Sequence, residues 1–173
     1  MNWDELATIV IAAWNTTAIE RPDLFADDAS EDALRGQLVK RLELVFKDSG
    51  FEIDVNYNVM NYPNNVRGVK RLDLGADETG RVLIDIVIHR PGSDGPDSNL
   101  LAIELKKKAR DSCKDVAKLR ELTSPPAGLR PFQYQFGLLI RYQPSSLVAV
   151  ATLFQNGVQS RLVPATLLKI ADG

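Results

Sequence analysis

The sequence predicts an α/β fold with a central mixed β-sheet flanked by helices. Two helical patterns open the chain, and extended patterns follow with a third helical segment between them. Mixed order of this kind is typical of one sheet covered by helices. One extended run is apolar on both faces, as expected for a strand in the middle of such a sheet. We expect a single domain over residues 1–173, with an N-terminal helix and connector over 1–29 and the core over 30–173.

Two helices are predicted in the first third of the chain. Apolar residues at helical spacing predict a helix over residues 3–19, which is either core or a dimer contact, so a homodimer is one expectation. A polar connector containing proline follows over 21–30. The second helix is predicted over 31–47, with Leu34, Leu38 and Leu42 on its buried stripe, and Gly50 supplies its stop.

The remaining elements are predominantly extended. Alternation predicts a strand over 51–57, a turn over 61–65 and a short strand over 69–74. The doubly apolar run covers 82–90, and a loop over 91–99 leads to a strand over 100–108. A helix begins at Ser112, with Asp115 as its capping-box partner, and ends before Ser124. Strands over 134–140 and 147–153 and a helix over 164–170 complete the prediction.

Composition and charge exclude several classes of function. The net charge is −2 and the pI is about 5.5, so any DNA binding must come from a local basic patch. Cys113 and His89 are the only residues of their types, which excludes an intrachain disulfide and a Cys/His zinc site. The apolar run over 9–14 is too short to span a membrane and follows acidic residues. We therefore expect a soluble, cytoplasmic protein with no membrane partner.

A polar constellation interrupts the two central strands. Asp85 lies in the middle of the apolar run and is predicted to share a face with Leu83, Val87 and His89. On the next strand Glu104 and Lys106 project side by side. If the two strands pair as a hairpin, Asp85 faces Glu104. Aspartate is rare in strands and almost never fully buried unless it is paired or bound to metal, so this set predicts a functional site.

These residue types suit the hydrolysis of phosphodiester bonds. Two carboxylates, Asp85 and Glu104, can hold Mg²⁺, for which Mn²⁺ is a substitute, because hard cations prefer oxygen ligands. The metal activates water and polarises the phosphate, while Lys106 positions the water or offsets charge on phosphorus. Glu31 lies at the upper end of the buried stripe of its helix and could supply a third carboxylate.

The residues Ile84-Asp85 and, on the next strand, Glu104-Leu105-Lys106 resemble the signature of the PD-(D/E)XK nucleases. The likeness covers roughly residues 31–153 and implies a restriction-endonuclease-like αβββαβ core. It implies that Asp85 and Glu104 are metal ligands, that Lys106 is the catalytic lysine, and that Glu31 and Lys118 are the acidic and basic residues of the flanking helices. Two positions depart from the pattern. Ile84 replaces the proline, and Asn56 stands where some relatives have a glutamate.

Each assignment has an alternative. Glu104 and Lys106 could form a simple cross-strand ion pair, and Glu31 could be an acid favoured by the helix dipole. Asp73 competes with Asp85, and His89 could be a general base or a polar residue at a strand end. The basic cluster is either a surface that follows DNA phosphates or a solvated surface. Its members are Lys106, Lys107, Lys108, Arg110, Lys114 and Lys118, of which Lys107, Lys108, Lys114 and Lys118 are the predicted nucleic-acid-binding residues.

The sequence thus predicts a Mg²⁺-dependent nuclease that acts on DNA in a defence, mobile-element or repair setting. The alternative is a catalytically silent nuclease-like domain that serves as a nucleic-acid-binding or protein-binding module. A third class, a purely structural subunit, would bind no divalent metal.

Overall fold

A computed structural model describes residues 1–25, 29–57, 59–62, 66–69, 83–92, 97–107, 110–125, 133–143 and 148–160. Within these ranges the helices are α1 (Trp3–Glu20), α2 (Glu31–Phe46) and α3 (Cys113–Thr123), with a short 3₁₀ helix at Pro22–Phe25. The strands are β1 (Glu52–Tyr57), β2 (Val59–Tyr62), β3 (Val66–Val69), β4 (Ile84–His89), β5 (Asn99–Lys107), β6 (Phe136–Gln143), β7 (Val148–Gln155) and β8 (Val158–Ser160).

Six strands form one mixed sheet in the order β1-β4-β5-β6-β7-β8. Strands β5 and β6 are parallel, and every other neighbouring pair in this sheet is antiparallel. The single parallel pair requires a crossover, which α3 provides between β5 and β6. Strands β2 and β3 form a separate antiparallel hairpin. The predicted α/β class with a central mixed sheet is confirmed.

Helices cover both faces of the sheet. On one face α1 and α2 pack in a shared core that contains Trp14 of α1 and the predicted stripe Leu34, Leu38 and Leu42 of α2. On the other face Leu119 and Leu122 of α3 pack in a second cluster. The residues of α1 therefore belong to the core, in agreement with one of the two readings of that helix. No helix in the described part of the chain is long and apolar enough to cross a membrane.

Local sequence signals account for the ends of the first two helices. Asn2 and Glu5 form a capping box at the start of α1. The side chain of Ser30 accepts a hydrogen bond from the backbone N–H of Asp32 at the start of α2. Gly50 has a φ of 74°, in the left-handed region that glycine reaches without strain, so it ends the turn after α2 as predicted.

Several predicted boundaries were wrong. Asn61 and Tyr62 were assigned to a turn but belong to β2, whose hairpin with β3 the sequence did not predict. Strands β6 and β7 run past their predicted ends at 140 and 153, and β8 was missed. The predicted strand residues 70–74, with Asp73, and the predicted helix over 164–170 lie outside the described residues.

The predicted division of β4 into two faces was also wrong at its first residues. Ile84 packs with Val87 in the cluster that faces α3, whereas Ile86 and Ile88 pack in the core beneath α1 and α2. Between the pairs Val55↔Ile86 and Tyr57↔Ile84 stands Asn56, whose φ of 50° is left-handed. The alternation of β4 therefore fails at Asp85, the residue that lies opposite Asn56 in this register.

Candidate active site

Asp85 lies where the ladder between β4 and β5 ends. The paired residues run from His89↔Asn99 to Ile86↔Ile103, and Asp85 is the next residue of β4. Its Oδ2 accepts a hydrogen bond from the backbone N–H of Leu105 at 2.8 Å, so the carboxylate binds the neighbouring strand directly. Its Oδ1 accepts a hydrogen bond from Nη1 of Arg35 in α2 at 2.7 Å, and Arg35 also pairs with Asp32. Asp85 is thus held from both β5 and α2.

Glu104 is the buried carboxyl group of the site. It lies on β5, is 3% exposed and accepts a hydrogen bond at Oε1 from Nζ of Lys118 at 2.8 Å. Burial raises the pKa of Glu104 to about 8; Lys118 opposes this shift, while the charges of Asp85 and Asp115 add to it. At neutral pH and without a bound cation, Glu104 is therefore predominantly protonated.

Lys118 joins α3 to both central strands. Besides its bond to Glu104, its Nζ donates to the backbone carbonyl of Leu83 at 2.9 Å, just before β4 begins. The side chain is 16% exposed, so it is mostly enclosed. Lys118 is predicted as a DNA-binding lysine and, by the resemblance, as the basic residue of the second helix of the core. Its ammonium group lies against Glu104, a predicted metal ligand.

Lys106 projects from β5 towards α3. Its Nζ lies 3.2 Å from Oδ2 of Asp115, whose Oδ1 lies 3.8 Å from Nζ of Lys118. Burial lowers the pKa of Lys106, but the hydrogen bond and charge of Asp115, followed by the charges of Glu31 and Glu104, outweigh it and raise the pKa overall. Lys106 is therefore a stable ammonium group that can donate hydrogen bonds.

Asp115 is a site residue for which the sequence predicts a different role, that of capping-box partner of Ser112. The predicted capping box is wrong, because the side chain of Ser112 makes no capping hydrogen bond. Instead, Asp111 accepts a hydrogen bond from the backbone N–H of Cys113, and Asp115 turns towards the lysines. A charge-assisted pair with an ammonium group is stronger than a neutral cap. The spacing of Asp115 and Lys118, one turn apart on α3, was the available signal.

Glu31 approaches the end of β5 from the start of α2. Its Oε1 accepts a hydrogen bond from the backbone N–H of Lys107 at 3.0 Å, while Nζ of Lys107 donates to the carbonyl of Ala29 at 2.9 Å. Glu31 is thus bonded to the strand that carries Glu104 and Lys106. Glu31 lies in the first turn of α2, as its alternative role of a helix N-terminal acid requires, while its role as a third metal ligand stays a prediction.

The remaining predicted basic residues differ in their surroundings. Lys114 and Arg110 are exposed, Lys107 is half-buried, and Lys108 lies outside the described residues. Among the described residues of the basic cluster, Arg110 and Lys114 are therefore exposed, whereas Lys118 is enclosed in the site.

His89 belongs to a different part of the sheet. It is 2% exposed, its Nε2 lies 2.9 Å from Oδ2 of Asp54, and its ring contacts that of Tyr57. His89 ends β4, whereas Asp85 lies near the start of that strand, so about 13 Å of extended chain separates them. This distance places His89 apart from the residues around Glu104.

The donor set suits a hard divalent cation with few protein ligands. Mg²⁺ is commonly held by one or two carboxylates together with water and substrate phosphate. The two carboxyl groups on the central strands are Asp85, which bonds to Arg35 of α2, and Glu104, which bonds to Lys118 of α3, so they are held by helices on opposite faces of the sheet. Among the described residues, no three side chains of Asp, Glu, His or Cys are grouped to hold a metal ion. Arg35 already pairs with Asp85, and Lys118 already pairs with Glu104. A metal ion would therefore have to compete with these two cationic side chains.

Comparison with protein-family models, curated proteins and solved structures found no match for this chain. The residues around Glu104 are therefore the basis for a functional conclusion.

Proposed function

We propose that this protein is a Mg²⁺-dependent nuclease that hydrolyses phosphodiester bonds of DNA, as the resemblance to PD-(D/E)XK nucleases implies. The observation that supports this most is the position of Asp85. Its carboxylate binds the backbone N–H of Leu105 beside Glu104, where the ladder between their strands ends. Two carboxylates on adjacent strands, with ammonium groups beside them, form a set that phosphodiester hydrolysis can use. A cytoplasmic defence, mobile-element or repair setting belongs to the same proposal.

In this proposal Asp85 and Glu104 hold the cation. When bound, Mg²⁺ supplies Lewis acidity that polarises the scissile phosphate and acidifies a water molecule. Glu104 must first release its proton, because a carboxylate binds metal in its ionised form. The raised pKa of Glu104 therefore makes metal binding favourable towards alkaline pH.

Lys106 acts as a hydrogen-bond donor in the same reaction. Its pKa is raised by Asp115 against the effect of burial, so its ammonium group persists at neutral pH. Such a group stabilises negative charge that develops on the phosphate oxygens. A role for Lys106 as a proton-accepting base is disfavoured for the same reason.

Arg35 and Lys118 complete the arrangement. Each one pairs with a proposed metal ligand through a contact of 2.7 or 2.8 Å. A DNA phosphate offers both side chains an alternative anion once a cation has taken the carboxylates. Both are thus placed to bind the phosphate backbone beside the reacting group.

The same ion pairs favour a second candidate function. With Arg35 and Lys118 in place, Asp85 and Glu104 each have a cationic partner within the chain. A nuclease-like domain of this kind could bind nucleic acid or protein without using a metal. This candidate predicts binding without cleavage.

A cleavage assay tests the proposal. Supercoiled plasmid and single-stranded DNA are incubated with Mg²⁺, with Mn²⁺ and with a chelator. The wild type should cleave only with metal, and Asp85→Asn, Glu104→Gln and Lys106→Ala should each reduce the rate by about 10²–10⁴-fold. Lys114→Ala, which removes an exposed lysine of α3, is the matched control and should retain the cleavage rate at saturating DNA.

Three outcomes separate the candidates. Metal-dependent cleavage lost in all three variants supports the nuclease. DNA binding by a wild type that cleaves with neither metal supports the silent module. Undiminished cleavage by Asp85→Asn and Glu104→Gln would refute the assignment of this site.

A further inference from the structure

We infer that Asp115 is a positioning residue that holds the ammonium groups of Lys106 and Lys118 on either side of its carboxylate, and so fixes both lysines beside Glu104. The geometric part of this inference stands on the contacts alone. Its catalytic consequence rests on the proposed nuclease function.

Each oxygen of Asp115 faces a different lysine. Oδ2 lies 3.2 Å from Nζ of Lys106 on β5, and Oδ1 lies 3.8 Å from Nζ of Lys118 on α3. Lys118 in turn donates to Glu104 at 2.8 Å. The carboxylate of Asp115 thus connects the predicted catalytic lysine to the buried carboxyl group through the helix that crosses over the sheet.

The burial of Asp115 is unusual for an acid in the first turn of a helix. Such acids ordinarily cap backbone N–H groups or face solvent. Here Asp111 supplies the side-chain acceptor at the helix start, by binding the N–H of Cys113. Asp115 is 8% exposed, and a buried carboxylate is costly unless it is paired. Its pairing with the two lysines explains why it is tolerated there.

Lysine side chains need such a partner to act from a fixed position. Each has a flexible four-carbon stem, so its ammonium group samples many positions unless it is held. Reactions that depend on a donor close to a developing charge are sensitive to displacements of about 1 Å. Loss of Asp115 should therefore slow the chemical step more than it weakens DNA binding, which many phosphate contacts share.

The placement can be tested without a substrate. Lysines of the folded protein are acylated briefly with an amine-reactive ester and quantified by peptide mass spectrometry. In Asp115→Asn the labelling rate of Lys106 should rise at least about fivefold relative to exposed Lys114, because a charge-assisted hydrogen bond is lost. Asp111→Asn makes the same change of charge just before that helix and should leave the ratio unchanged.

Kinetics test the consequence. With the wild type cleaving, Asp115→Asn should lower kcat about tenfold, equivalent to about 1.4 kcal/mol, while KM changes less than about twofold. Adding Asp115→Asn to Lys106→Ala should cost less than Asp115→Asn costs in the wild type, because the part of its effect that acts through Lys106 is then already lost. Asp115→Glu retains the carboxylate and should recover part of kcat, and Asp111→Asn should match the wild type.

The outcomes are distinct. Unchanged labelling of Lys106 in folded Asp115→Asn overturns the inference, whatever the protein's activity. Increased labelling together with an unchanged kcat would refute the catalytic consequence. If the wild type fails to cleave DNA, the proposed function fails and the labelling ratio alone decides the placement. If Asp115→Asn does not fold, the ratio is measured in Asp115→Glu, where a change of at least about twofold is expected and no change overturns the inference.

Discussion

At the scale of single residues, Glu104 is buried in the sheet. The proposed function nevertheless requires its carboxyl group to ionise, because a carboxylate binds metal in its ionised form. Its burial favours the neutral form, and Asp85 and Asp115 act in the same direction. Lys118 acts in the opposite direction but does not cancel them. Glu104 thus carries a proton at the position where the proposed function needs a metal cation, so metal binding requires the release of this proton.

This coupling predicts how stability depends on pH. The pKa of Glu104 is about 8 in the folded protein and 4.5 ordinarily, so between these values the folded state binds a proton that the unfolded state has released. Its contribution to stability is therefore complete below pH about 4.5 and is lost as the pH rises through about 8. Without metal, the wild type should lose thermal stability across this window.

Glu104→Gln, which stays neutral, should remove that part of the pH dependence. Melting curves from pH 5 to about 9 measure the effect. Glu43→Gln replaces an exposed glutamate of α2 and should retain the slope of the wild type. Identical slopes in Glu104→Gln and the wild type would show that Glu104 does not hold this proton.

At the scale of elements, the apolar periodicity of the sequence predicted the helices. The bounds of the strands depend on pairing between segments that are distant in the sequence. Apolar periodicity gave α1 and α2 close to their observed bounds. The Asn156-Gly157 pair, with φ values of 53° and 74°, joins β7 to β8 and is a strong hairpin signal that was overlooked. The apolar pattern of residues 82–90 carries no signal for the break in alternation at Asp85, which lies opposite the left-handed Asn56.

The left-handed backbone of Asn56 leads to a prediction about β1. Asn56→Gly should be close to neutral, because both residues adopt a φ near 50° readily. Asn56→Val should cost about 1–2 kcal/mol, since a β-branched residue is strained there despite its preference for strands. Chemical unfolding measures both values. The matched control is Val55, an exposed neighbour that has no positive φ. Val55→Asn should not show the preference for asparagine over valine that position 56 shows. Equal stability of the glycine and valine variants at position 56 would contradict the distortion.

At the scale of the whole molecule, the negative net charge requires that any DNA binding come from a local basic patch. The residues around Glu104 are partly enclosed, and exposed Arg110 and Lys114 lie on the chain between β5 and the first turn of α3. The sequence alone pointed to Asp85, Glu104 and Lys106, because carboxylates inside apolar strands are conspicuous, and the resemblance added Glu31 and Lys118. Arg35 and Asp115 were not identified, because their side chains reach the site only through the packing of α2 and α3 on the sheet.

The exposed pair gives a prediction about affinity. Arg110→Glu with Lys114→Glu should weaken DNA binding for all sequences and reduce the slope of log K against log salt concentration by about 1 for each lost phosphate contact. Binding titrations at several salt concentrations measure it. Lys40→Glu with Lys47→Glu makes the same charge change at the far end of α2 and should leave the slope intact. An unchanged slope in the variant with Arg110→Glu and Lys114→Glu would show that these two residues are solvated and do not contact DNA phosphates.

The stability of the folded chain with and without metal links all three scales. Without metal, Asp85→Asn removes the charge that faces Arg35 at 2.7 Å, and Arg35 is only 13% exposed. A hydrogen bond between charged, partly buried groups contributes about 1.5–3 kcal/mol, so the variant should be less stable by about that amount. The sequence alone leaves two outcomes open for this variant: an unchanged or higher melting temperature if Asp85 is poised for a metal, and a loss of about 3 kcal/mol if Asp85 is a structural ion-pair partner. The pairing with Arg35 favours a loss of stability.

A bound metal should change the difference in stability between the wild type and Asp85→Asn. A ligand that binds only the folded state stabilises it by about 2.7 kcal/mol at one hundred times its dissociation constant. Millimolar Mg²⁺ or Mn²⁺ should therefore raise the melting temperature of the wild type, and more at pH about 8 than at pH about 6, since Glu104 must lose its proton. Asp85→Asn should lose most of this increase. Asp32→Asn, which removes the exposed partner of Arg35 and leaves both proposed ligands in place, should retain it. A wild type whose melting temperature is indifferent to both metals at either pH would exclude the metal-dependent site and favour the silent module.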